Sequence, residues 1–416
     1  MSALHVAIAG GGIGGLTLAL ALHQRDIDCT VYEAAREIKP LGVGINLLPH
    51  SVKELSELGL RDALAATAIE TASLTYYNKH GQTIWSEPRG LAAGYPVPQY
   101  SIHRGELHMI LLEAALARLG PQRVVLGHQL TGFENRGERV RMGFARLADG
   151  SNVSAEADVL VAADGIHSAA RRQMWPNEGA PRYGQRVLWR SITEGQPFGD
   201  GRSMFMAGHP DVKFVAYPIS RKLHEEGRSR INWIAELSVP GDTPPRQDWN
   251  KQVDASVFAT PFDNWKWEWI DIPALIRGAS ASYEFPLVDR DPLPHWRQGR
   301  VTLLGDAAHP MYPIGSNGAS QAILDVRSLA DALAGEASVG AALDAYEADR
   351  LPKTANIVLL NRQNGPEQVM QIAEVRAPQG FKHIHDVMPR DELEGIAARY
   401  KQVAGFAKPQ VQLQKA

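Results

Sequence analysis

The stretch from Val6 to Glu33 constrains the fold more than any other part of the chain. A short apolar run leads into Gly10-Gly11-Gly12-Ile13-Gly14-Gly15, and an Ala- and Leu-rich segment follows from Leu16 to Gln24. A second apolar run, Cys29-Thr30-Val31-Tyr32, ends at Glu33. Strand, tight turn, helix and second strand within about 30 residues predict a βαβ unit that binds a dinucleotide.

Each residue type in this stretch has a physical role. Gly10 permits a tight turn, Gly12 leaves room for a pyrophosphate, and Gly15 lets the helix lie close to the strand. Unpaired amides at the positive end of the helix dipole then stabilise the phosphates. Glu33 can accept a hydrogen bond from a ribose 2′-hydroxyl and would repel a 2′-phosphate, which argues against an NADP adenosine here. The alternative interpretation is a glycine turn that serves only the structure.

The composition excludes several classes of protein. Of the 416 residues, 44% are hydrophobic and 21% are charged, as expected for a soluble globular enzyme large enough for two lobes. The formal net charge of -3 and the lack of a basic cluster argue against a nucleic-acid partner.

Localisation, metal binding and disulfides are constrained in the same way. No apolar run reaches the roughly 18 residues that could span a bilayer, and the chain begins directly with a core strand, which leaves no room for a signal peptide. We therefore expect a cytoplasmic protein without a membrane partner, either a monomer or a homodimer. The His residues lack metal-ligand spacings, so no metal is expected, and the single Cys29 excludes a disulfide within the chain.

Two further buried strands each end in an aspartate-containing segment. Asp158-Val159-Leu160-Val161-Ala162-Ala163 precedes Asp164-Gly165, in a segment that ends at Arg171, and Arg300-Val301-Thr302-Leu303-Leu304 precedes Gly305-Asp306-Ala307-Ala308-His309. A loop from Pro310 to Gly318 follows, and apolar periodicity then predicts a helix from about Ala319 to Ala334. We refer to these segments as the Asp164 box and the Asp306 box.

The region between the two boxes has a different sequence pattern. From Trp189 to Phe285, short alternating segments with many aromatic residues predict a mostly antiparallel sheet that roofs a pocket. The strand at Val301 is expected to join the sheet that contains the first strand of the chain. The nucleotide domain is therefore predicted to be discontinuous, with the aromatic lobe inserted into it.

The glycine turn with Glu33, the Asp164 box and the Asp306 box together resemble the group A FAD-dependent aromatic hydroxylases in order and spacing over nearly the whole chain. Within that family, stretches such as Pro40 to Asn46 and Tyr100 to Leu107 look most like phenazine-carboxylate hydroxylases, with salicylate hydroxylases as close relatives. Ser316-Asn317-Gly318 departs from the G-Q-G that many relatives carry.

The resemblance implies an α/β fold: a Rossmann-like FAD-binding domain of the glutathione reductase type, with an inserted, mostly antiparallel substrate domain and C-terminal helices. The predicted divisions are 1–174 for the first part of the FAD domain, including some substrate-lobe strands near 72–103, and 175–290 for the substrate lobe. Residues 291–378 complete the FAD domain with C-terminal helices, and 379–416 are expected to form a loosely packed tail.

The resemblance also implies a set of FAD contacts. These are Gly10, Gly12, Ile13, Gly14, Gly15, Glu33, Ala34, Gly44, Arg104, Leu130, Asp164, Asp306, Pro313, Gly315, Asn317 and Gly318. By position, Arg104 would reach the pyrophosphate, Leu130 would lie by the adenine, and Asp306 would bond the ribityl chain. The loop from Pro313 to Gly318 would face the flavin pyrimidine edge. For Arg104 the alternative is a solvated surface charge.

The implied mechanism uses NADH or NADPH and O2 as co-substrates. NAD(P)H reduces the flavin, and a C4a-hydroperoxide formed with O2 delivers oxygen to an aromatic or N-heteroaromatic acid. The Asp164 box would serve both FAD and NAD(P)H. The protein must exclude water and orient one ring carbon.

Three residues are candidates for contact with the small aromatic substrate. Tyr217 could position the ring or handle a proton, although a Tyr in an aromatic sheet is more often a core residue. Arg190 could pair with a substrate carboxylate, with Glu194 as the alternative partner. His309 could lie by the flavin or satisfy a loop carbonyl. Met311 and Tyr312 are expected to form apolar walls.

Other functions are weighed against this interpretation. A salicylate- or hydroxybenzoate-type hydroxylase would differ only in pocket width and acid contacts. An NAD-linked dehydrogenase would use the first glycine motif and leave both aspartate boxes unexplained. A nonenzymatic nucleotide-binding protein would keep the fold as a scaffold.

Overall fold

The computed structural model describes residues 4–241 and 251–412. Its strands are His5–Ala9, Asp28–Tyr32, Gly44–Leu47, Ile69–Glu70, Ser73–Tyr77, Thr83–Pro88, Tyr100–His103, Val124–Val125, His128–Arg136, Arg139–Arg146, Asn152–Ala157, Val159–Ala162, Arg182–Gly195, Met204–His209, Val212–Pro218, Ser229–Ser238, Gln252–Val253, Lys266–Trp267, Ile270–Asp271, Ser282–Asp289, Arg297–Gln298 and Val301–Leu303. Its α-helices are Ile13–His23, Pro49–Glu57, Arg61–Thr67, Arg104–Leu119, Ala169–Met174, Arg221–Glu225, Ile272–Arg277, Gly318–Gly335, Val339–Arg362, Gln368–Arg376 and Arg390–Val403.

A six-stranded sheet carries the glycine turn. Its spatial order is Arg297–Gln298, Val301–Leu303, Val159–Ala162, His5–Ala9, Asp28–Tyr32 and Val124–Val125. All neighbours are parallel except the first pair, and Val6 lies opposite both Val159 and Cys29. Such a sheet is covered on both faces, which explains why its central strands are continuously apolar. The first strand and the strand at Val301 share this sheet, as the sequence predicted.

The inserted lobe is an eight-stranded sheet. Its order is Gln252–Val253, Ser282–Asp289, Arg182–Gly195, Ser229–Ser238, Val212–Pro218, Met204–His209, Ser73–Tyr77 and Thr83–Pro88. The pairing is antiparallel except between Met204–His209 and Ser73–Tyr77. The mostly antiparallel prediction is therefore confirmed, and a hairpin that turns at His80-Gly81 supplies the two strands at one edge.

The two faces of this sheet have different partners, because side chains alternate along each strand. Phe214 and Ala216 pack with Trp233 in an aromatic cluster on one face. Val215 and Tyr217 point to the other face, which packs against the C-terminal helices. The pocket roof expected from the sequence therefore belongs to the second face.

Smaller elements complete the fold. Two three-stranded sheets have the orders Asn152–Ala157, Arg139–Arg146, His128–Arg136 and Gly44–Leu47, Tyr100–His103, Ile69–Glu70. Gly127, which has a φ of +70°, separates the short strand Val124–Val125 from the strand His128–Arg136. Pro352 lies inside one continuous helix, Val339–Arg362.

The prediction of a loosely packed tail after residue 379 is wrong for the described part of that segment. The helix Arg390–Val403 buries Leu393, Ile396 and Tyr400 against the rest of the protein. Phe406 is also buried in the main core. The segment has few large apolar residues, but the amphipathic spacing of those few is sufficient to dock the helix.

No helix within residues 4–241 and 251–412 combines the length and apolar character needed to cross a membrane.

Candidate active site

The glycine turn has the backbone geometry that the sequence required. Gly10 has a φ of +109°, and a Cβ there would lie 2.3 Å from the carbonyl oxygen of Ala163. A Cβ at Gly15 would lie 1.9 Å from the Gly10 oxygen, whereas one at Gly12 would meet nothing within 4 Å. Gly12 caps the helix Ile13–His23 without a side-chain hydrogen bond. The turn therefore presents free amides and open space at a helix N-terminus, which suits a phosphate.

Glu33 lies directly beside this turn. Its carboxylate accepts hydrogen bonds from the backbone N–H groups of Gly11 at 2.6 Å and Ala35 at 2.7 Å. Ala34, between these residues, is half-buried. Contact of Glu33 and Ala34 with a ribose remains a prediction. That prediction requires Glu33 to lie next to the turn that would hold the pyrophosphate, and it does.

The three motifs converge in space. Gly10 contacts the end of the strand that leads into the Asp164 box, and a Cβ at Gly14 would lie 2.8 Å from Leu304, at the start of the Asp306 box. Arg171, which is 2% exposed, donates from Nη1 to the carbonyl oxygens of Ala307 at 3.0 Å and Ala308 at 2.7 Å. The end of the Asp164 box thus fixes the backbone of the Asp306 box.

Several polar groups at this convergence lack protein partners. Oδ1 of Asp164 is buried without a hydrogen bond, while its Oδ2 accepts one from the Ala169 N–H at 2.8 Å. Asp306 is accessible, and in the described residues its carboxylate has no hydrogen-bond partner. The surrounding protein raises the pKa of Asp306, against the opposing charges of His309 and Arg104. Arg104 is exposed beside Gly42 and forms no ion pair within the described ranges.

The loop from Pro313 to Gly318 is shaped by the C-terminal helix. Gly315 has a φ of +68°, and a Cβ there would lie 2.1 Å from the hydroxyl oxygen of Tyr400. The Tyr400 hydroxyl lies 3.1 Å from the Ile314 carbonyl oxygen and accepts a hydrogen bond from Asn317 at 3.4 Å. Asn317 is fully buried and precedes the helix Gly318–Gly335, whose N-terminus has no side-chain cap. Tyr400 was not among the sequence-based candidates.

His309 belongs to a buried ionic network beneath the Asp306 box. Its Nε2 lies 2.5 Å from Oδ2 of Asp325, and Oδ1 of Asp325 accepts a hydrogen bond from Arg350 at 2.8 Å. Although burial favours the neutral acid, His309 and Arg350 hold the pKa of Asp325 below its usual value. Asp325 also accepts the Gly305 N–H at 3.1 Å. This geometry favours positioning of the Asp306 box by His309 through the Asp325 carboxylate, and not through a loop carbonyl, which was one of the two alternatives from the sequence. Contact of His309 with the flavin, the other alternative, stays a prediction.

Arg190 and Tyr217 lie together on the sheet face that points toward the flavin-binding motifs. Arg190 donates from Nη2 to the Gly44 carbonyl oxygen at 3.0 Å, contacts the Tyr217 hydroxyl, and has a buried Nε without a partner. Burial lowers the pKa of Arg190 and raises that of Tyr217 to about 12. In the part of the chain that the structure describes, no carboxylate pairs with Arg190. Glu194, the alternative partner, instead binds Arg228 and Arg230.

Gly44 is held between these elements. Its N–H donates to Oδ1 of the fully buried Asn232 at 2.6 Å, and a Cβ at Gly44 would lie 2.7 Å from the Tyr217 ring. The sequence interpretation did not include Asn232. Its partner Gly44 lies 188 residues away along the chain, and no local pattern marks such a contact.

Several further candidates are buried or half-buried. Leu130 packs in the main core, paired with Phe144, so only its backbone is available to an adenine. Tyr312 and Ile314 pack with Leu188 in a small apolar cluster, and Met311 is half-buried beside the main core. Ile13 begins the first helix and is partly buried.

The comparisons with known proteins identify the family. Residues 3–249 and 287–360 match the family described as "FAD binding domain". This chain belongs to that family. The phenazine 1,6-dicarboxylic acid hydroxylase of Lysobacter antibioticus is 46% identical over 361 residues, covering 86% of this chain and 89% of that protein.

Two more relatives extend this result. The 3-amino-4-hydroxybenzoate 2-monooxygenase of Streptomyces platensis is 35% identical over 370 residues, covering 87% of this chain and 88% of that protein. Klebsiella pneumoniae HpxO, solved with FAD and uric acid, has the same fold, with a TM-score of 0.73 at 24% identity, and 95% of this chain covers 97% of it. The protein is an FAD-dependent monooxygenase of the aromatic hydroxylase type, with NAD(P)H as co-substrate.

The residues of the cleft fit FAD. A pyrophosphate and a polyhydroxyl chain would occupy the open space at Gly12. They would also supply hydrogen-bond or ionic partners for three groups that lack them, which are Oδ1 of Asp164, Arg104 and Asp306. The described residues contain no group of three or more His, Cys, Asp or Glu that could hold a metal ion.

Proposed function

We propose that this protein hydroxylates an aromatic or N-heteroaromatic acid resembling a phenazine carboxylate, with consumption of NAD(P)H and O2. The observation that carries the substrate class is Arg190, a half-buried cation beside the flavin-binding motifs, whose Nε is buried without a partner and which pairs with no carboxylate among the described residues. A buried charge is costly unless it is paired, so this site favours an anionic ligand. The 46% identical relative acts on a phenazine dicarboxylic acid, which supports the same class.

The side chains around Arg190 suit the orientation of a flat acid. The guanidinium offers a planar set of donors that matches a carboxylate. Because the pKa of Tyr217 is raised to about 12, its hydroxyl stays protonated and can donate to the substrate while it accepts from Arg190. Leu188, Leu287, Tyr312 and Ile314 form an apolar cluster near the 313–318 loop that excludes water.

The proposed division of labour follows from these groups. Bound FAD would supply the redox chemistry between NAD(P)H and O2. Gly12, Arg104, Asp164 and Asp306 would hold the cofactor, and Arg190 with Tyr217 would hold the acid in one orientation. Orientation and exclusion of water are the contributions that the protein makes to the rate.

A salicylate- or hydroxybenzoate-type substrate is the second candidate. The 35% identical Streptomyces platensis relative acts on a hydroxybenzoate. A single-ring acid would use the same Arg190 contact, so the two candidates differ in the size of ring accepted. We place the activity in the cytoplasm, as a monomer or homodimer without nucleic-acid or membrane partners.

The test is NADH and NADPH oxidation by the FAD-loaded protein with phenazine-1-carboxylate, phenazine-1,6-dicarboxylate, salicylate and 3-amino-4-hydroxybenzoate, with hydroxylated product and hydrogen peroxide measured separately. We expect a phenazine acid to stimulate oxidation and to be hydroxylated. Oxidation at the same rate with every compound, and without product, would contradict the proposal.

Arg190→Gln should raise the KM for the acid roughly 10- to 100-fold, because a hydrogen bond to a charged group contributes about 1.5–3 kcal/mol. FAD affinity is measured in parallel, because Arg190 also binds the carbonyl of Gly44, a predicted FAD contact. Arg182→Gln is the control, since Arg182 begins the same strand but is exposed and pairs with Asp291. An unchanged KM in Arg190→Gln would remove the acid contact from this position.

A further inference from the structure

We propose that a small recess beneath the inserted sheet binds one monoatomic anion, such as chloride, which fastens the terminal helix Arg390–Val403 and the 313–318 loop to the sheet. The side chains that would hold the ion are Tyr76, Arg89, Gln99 and Ser316. The proposed site is separate from the Arg190 site, and the inference does not depend on which substrate the enzyme uses.

Three parts of the fold enclose this recess. Tyr76 lies on a strand of the inserted sheet, and Arg89 directly follows the edge strand of the same sheet. Ser316 belongs to the 313–318 loop, and Lys401 belongs to the terminal helix. These elements are distant in the sequence, so a ligand held between them would connect segments that the chain itself does not hold together.

Three buried polar atoms in the side chains that line the recess have no hydrogen-bond partner among the described residues. They are the Tyr76 hydroxyl, Nε of Arg89 and Oε1 of Gln99, in residues that are 2%, 8% and 2% exposed. The first two are donors, and the Gln99 amide can rotate to present its NH2 group as a third donor. Buried polar groups are almost always paired, so their concentration around one void indicates a polar occupant.

Ser316 offers a further donor on the loop side of the recess. Its hydroxyl oxygen accepts a hydrogen bond from Asn46 at 3.3 Å, and its own hydrogen has no acceptor in the described part of the chain. Ser316 also has a φ of +57°, a conformation that residues other than glycine rarely adopt. A ligand that accepts from this hydroxyl would help to hold the loop in that conformation.

The charges around the recess favour an anion over a water molecule. Glu87 accepts from Nη2 of Arg89 at 2.5 Å and also pairs with Lys401. Burial opposes the ionisation of Glu87, but the two cations hold its pKa below the usual value, so it stays ionised. Two cations thus share one carboxylate, which leaves one positive charge uncompensated among these three side chains. Glu367, a further carboxylate that acts on Tyr76, is paired with Lys213.

The size of the recess limits the ion to a single atom. Its free space of about 20 Å³ accommodates about one water molecule, which is too little for a phosphate or a carboxylate group. A halide ion is slightly larger than water and only accepts hydrogen bonds, which matches a group of donors with an excess positive charge. Lys401 is 26% exposed, so an ion can exchange with solvent past this side chain.

Bromide tests the site directly, because it replaces chloride and scatters X-rays anomalously. Crystals of the FAD-loaded protein are grown with sodium bromide in place of sodium chloride. We expect an anomalous peak in the recess, in contact with the Tyr76 hydroxyl and Nε of Arg89. A recess without a peak holds only water, and that result would overturn the inference.

Thermal unfolding shows whether the ion also binds in solution. The FAD-loaded wild-type protein, Tyr76→Phe and Arg89→Met are unfolded in potassium chloride, bromide and gluconate at equal ionic strength. The wild-type midpoint should be roughly 1–3 °C higher in the halides than in gluconate, since a ligand of the folded state stabilises it. Both variants should lose most of this difference. Both should fold, because Tyr76→Phe removes a hydroxyl without a partner and Arg89→Met leaves Glu87 paired with Lys401.

Tyr95→Phe is the matched control for a general effect of the salts. Its buried hydroxyl fastens the same terminal segment through the Phe406 carbonyl oxygen, but it does not line the recess. It should lower the midpoint in every salt and keep the full difference between halide and gluconate. An equal halide effect in all four proteins would be a general salt effect and would overturn the inference. A bromide peak without any halide effect in solution would mark binding at crystal concentration only, and would overturn it as well.

Discussion

Asp306 carries the most direct test of the cofactor site at the residue scale. Its carboxylate is accessible, and within residues 4–241 and 251–412 it has no hydrogen-bond partner, so a ribityl hydroxyl could donate to it. We expect Asp306→Ala to weaken FAD binding roughly 10- to 100-fold, the range for a hydrogen bond to a charged group. Fluorescence titration of the apoprotein with FAD measures this loss. Asp263→Ala, an exposed aspartate in the inserted lobe, should bind FAD as the wild-type protein does.

The raised pKa of Asp306 adds a pH dependence. The surrounding cleft partly desolvates the accessible carboxylate and raises this pKa, and the ionised form is the better acceptor for a hydroxyl donor. The affinity for FAD should therefore be full above the raised pKa and should fall as the pH drops through it. Asp306→Asn should flatten this dependence, and an equally steep profile in that variant would assign the titration to another group.

The residues that sequence reasoning located share one property. The backbone conformation that each of them requires is determined by residues close to it in the sequence. Gly10 needs a left-handed conformation, and Gly15 must leave room for a carbonyl oxygen, so both are visible in a short window. Asn232 and Lys401 act through contacts 188 and 314 residues away along the chain. No local pattern marks such contacts, and they therefore became visible only in the folded structure.

At the scale of elements, the terminal helix Arg390–Val403 and the 313–318 loop form one unit. Tyr400 fills the space over Gly315, and its hydroxyl bridges Ile314, Asn317 and Asn361. We expect Tyr400→Phe to lower the free energy of unfolding by about 0.5–1.5 kcal/mol. The loosened loop should also admit water, so a larger fraction of NAD(P)H oxidation should end as hydrogen peroxide. The ratio of peroxide to hydroxylated product measures this change.

Tyr95→Phe is the matched control for that experiment. The Tyr95 hydroxyl is also buried and donates to the Phe406 carbonyl oxygen at 2.6 Å, so it fastens the same terminal segment without touching the loop. It should lower the unfolding temperature to a similar extent and leave the peroxide ratio unchanged. If both variants uncouple equally, the effect comes from general loosening of the tail and not from the loop.

At the scale of the whole molecule, the architecture was predictable because the parallel and antiparallel sheets leave different sequence patterns. Strands buried on both faces, such as Val159–Ala162, are continuously apolar, whereas Arg139–Arg146 alternates between buried and exposed residues. The docking of the terminal helix was not predictable in this way. It depends on a few apolar residues and on ionic contacts between distant segments, which the composition of the tail conceals.

One such ionic contact ties the inserted sheet to the C-terminal part of the chain. Lys213 is 3% exposed and contacts Glu236 at 2.8 Å and Glu367 at 2.6 Å. Although burial favours the neutral amine, these carboxylates raise the pKa of Lys213, so it remains charged. Among the described residues, Lys213→Met would leave Glu236 with Arg186 as its one remaining ion-pair partner and Glu367 with none. We expect a loss of about 3–5 kcal/mol in the free energy of unfolding, the usual result of removing one partner from a buried ion pair.

The pH dependence of this loss identifies its cause. Protonation of the buried carboxylates of Glu236 and Glu367 would remove the negative charge that Lys213→Met leaves uncompensated. The difference in stability between the wild-type protein and Lys213→Met should therefore shrink toward acid. Adding Glu367→Gln to Lys213→Met should restore part of the stability at neutral pH.

Lys266→Met is the control. It breaks an exposed pair with Asp271 and should lower the free energy of unfolding by no more than about 1 kcal/mol. A loss in Lys213→Met that is the same at every pH would mean that packing, and not uncompensated charge, connects the two parts of the molecule.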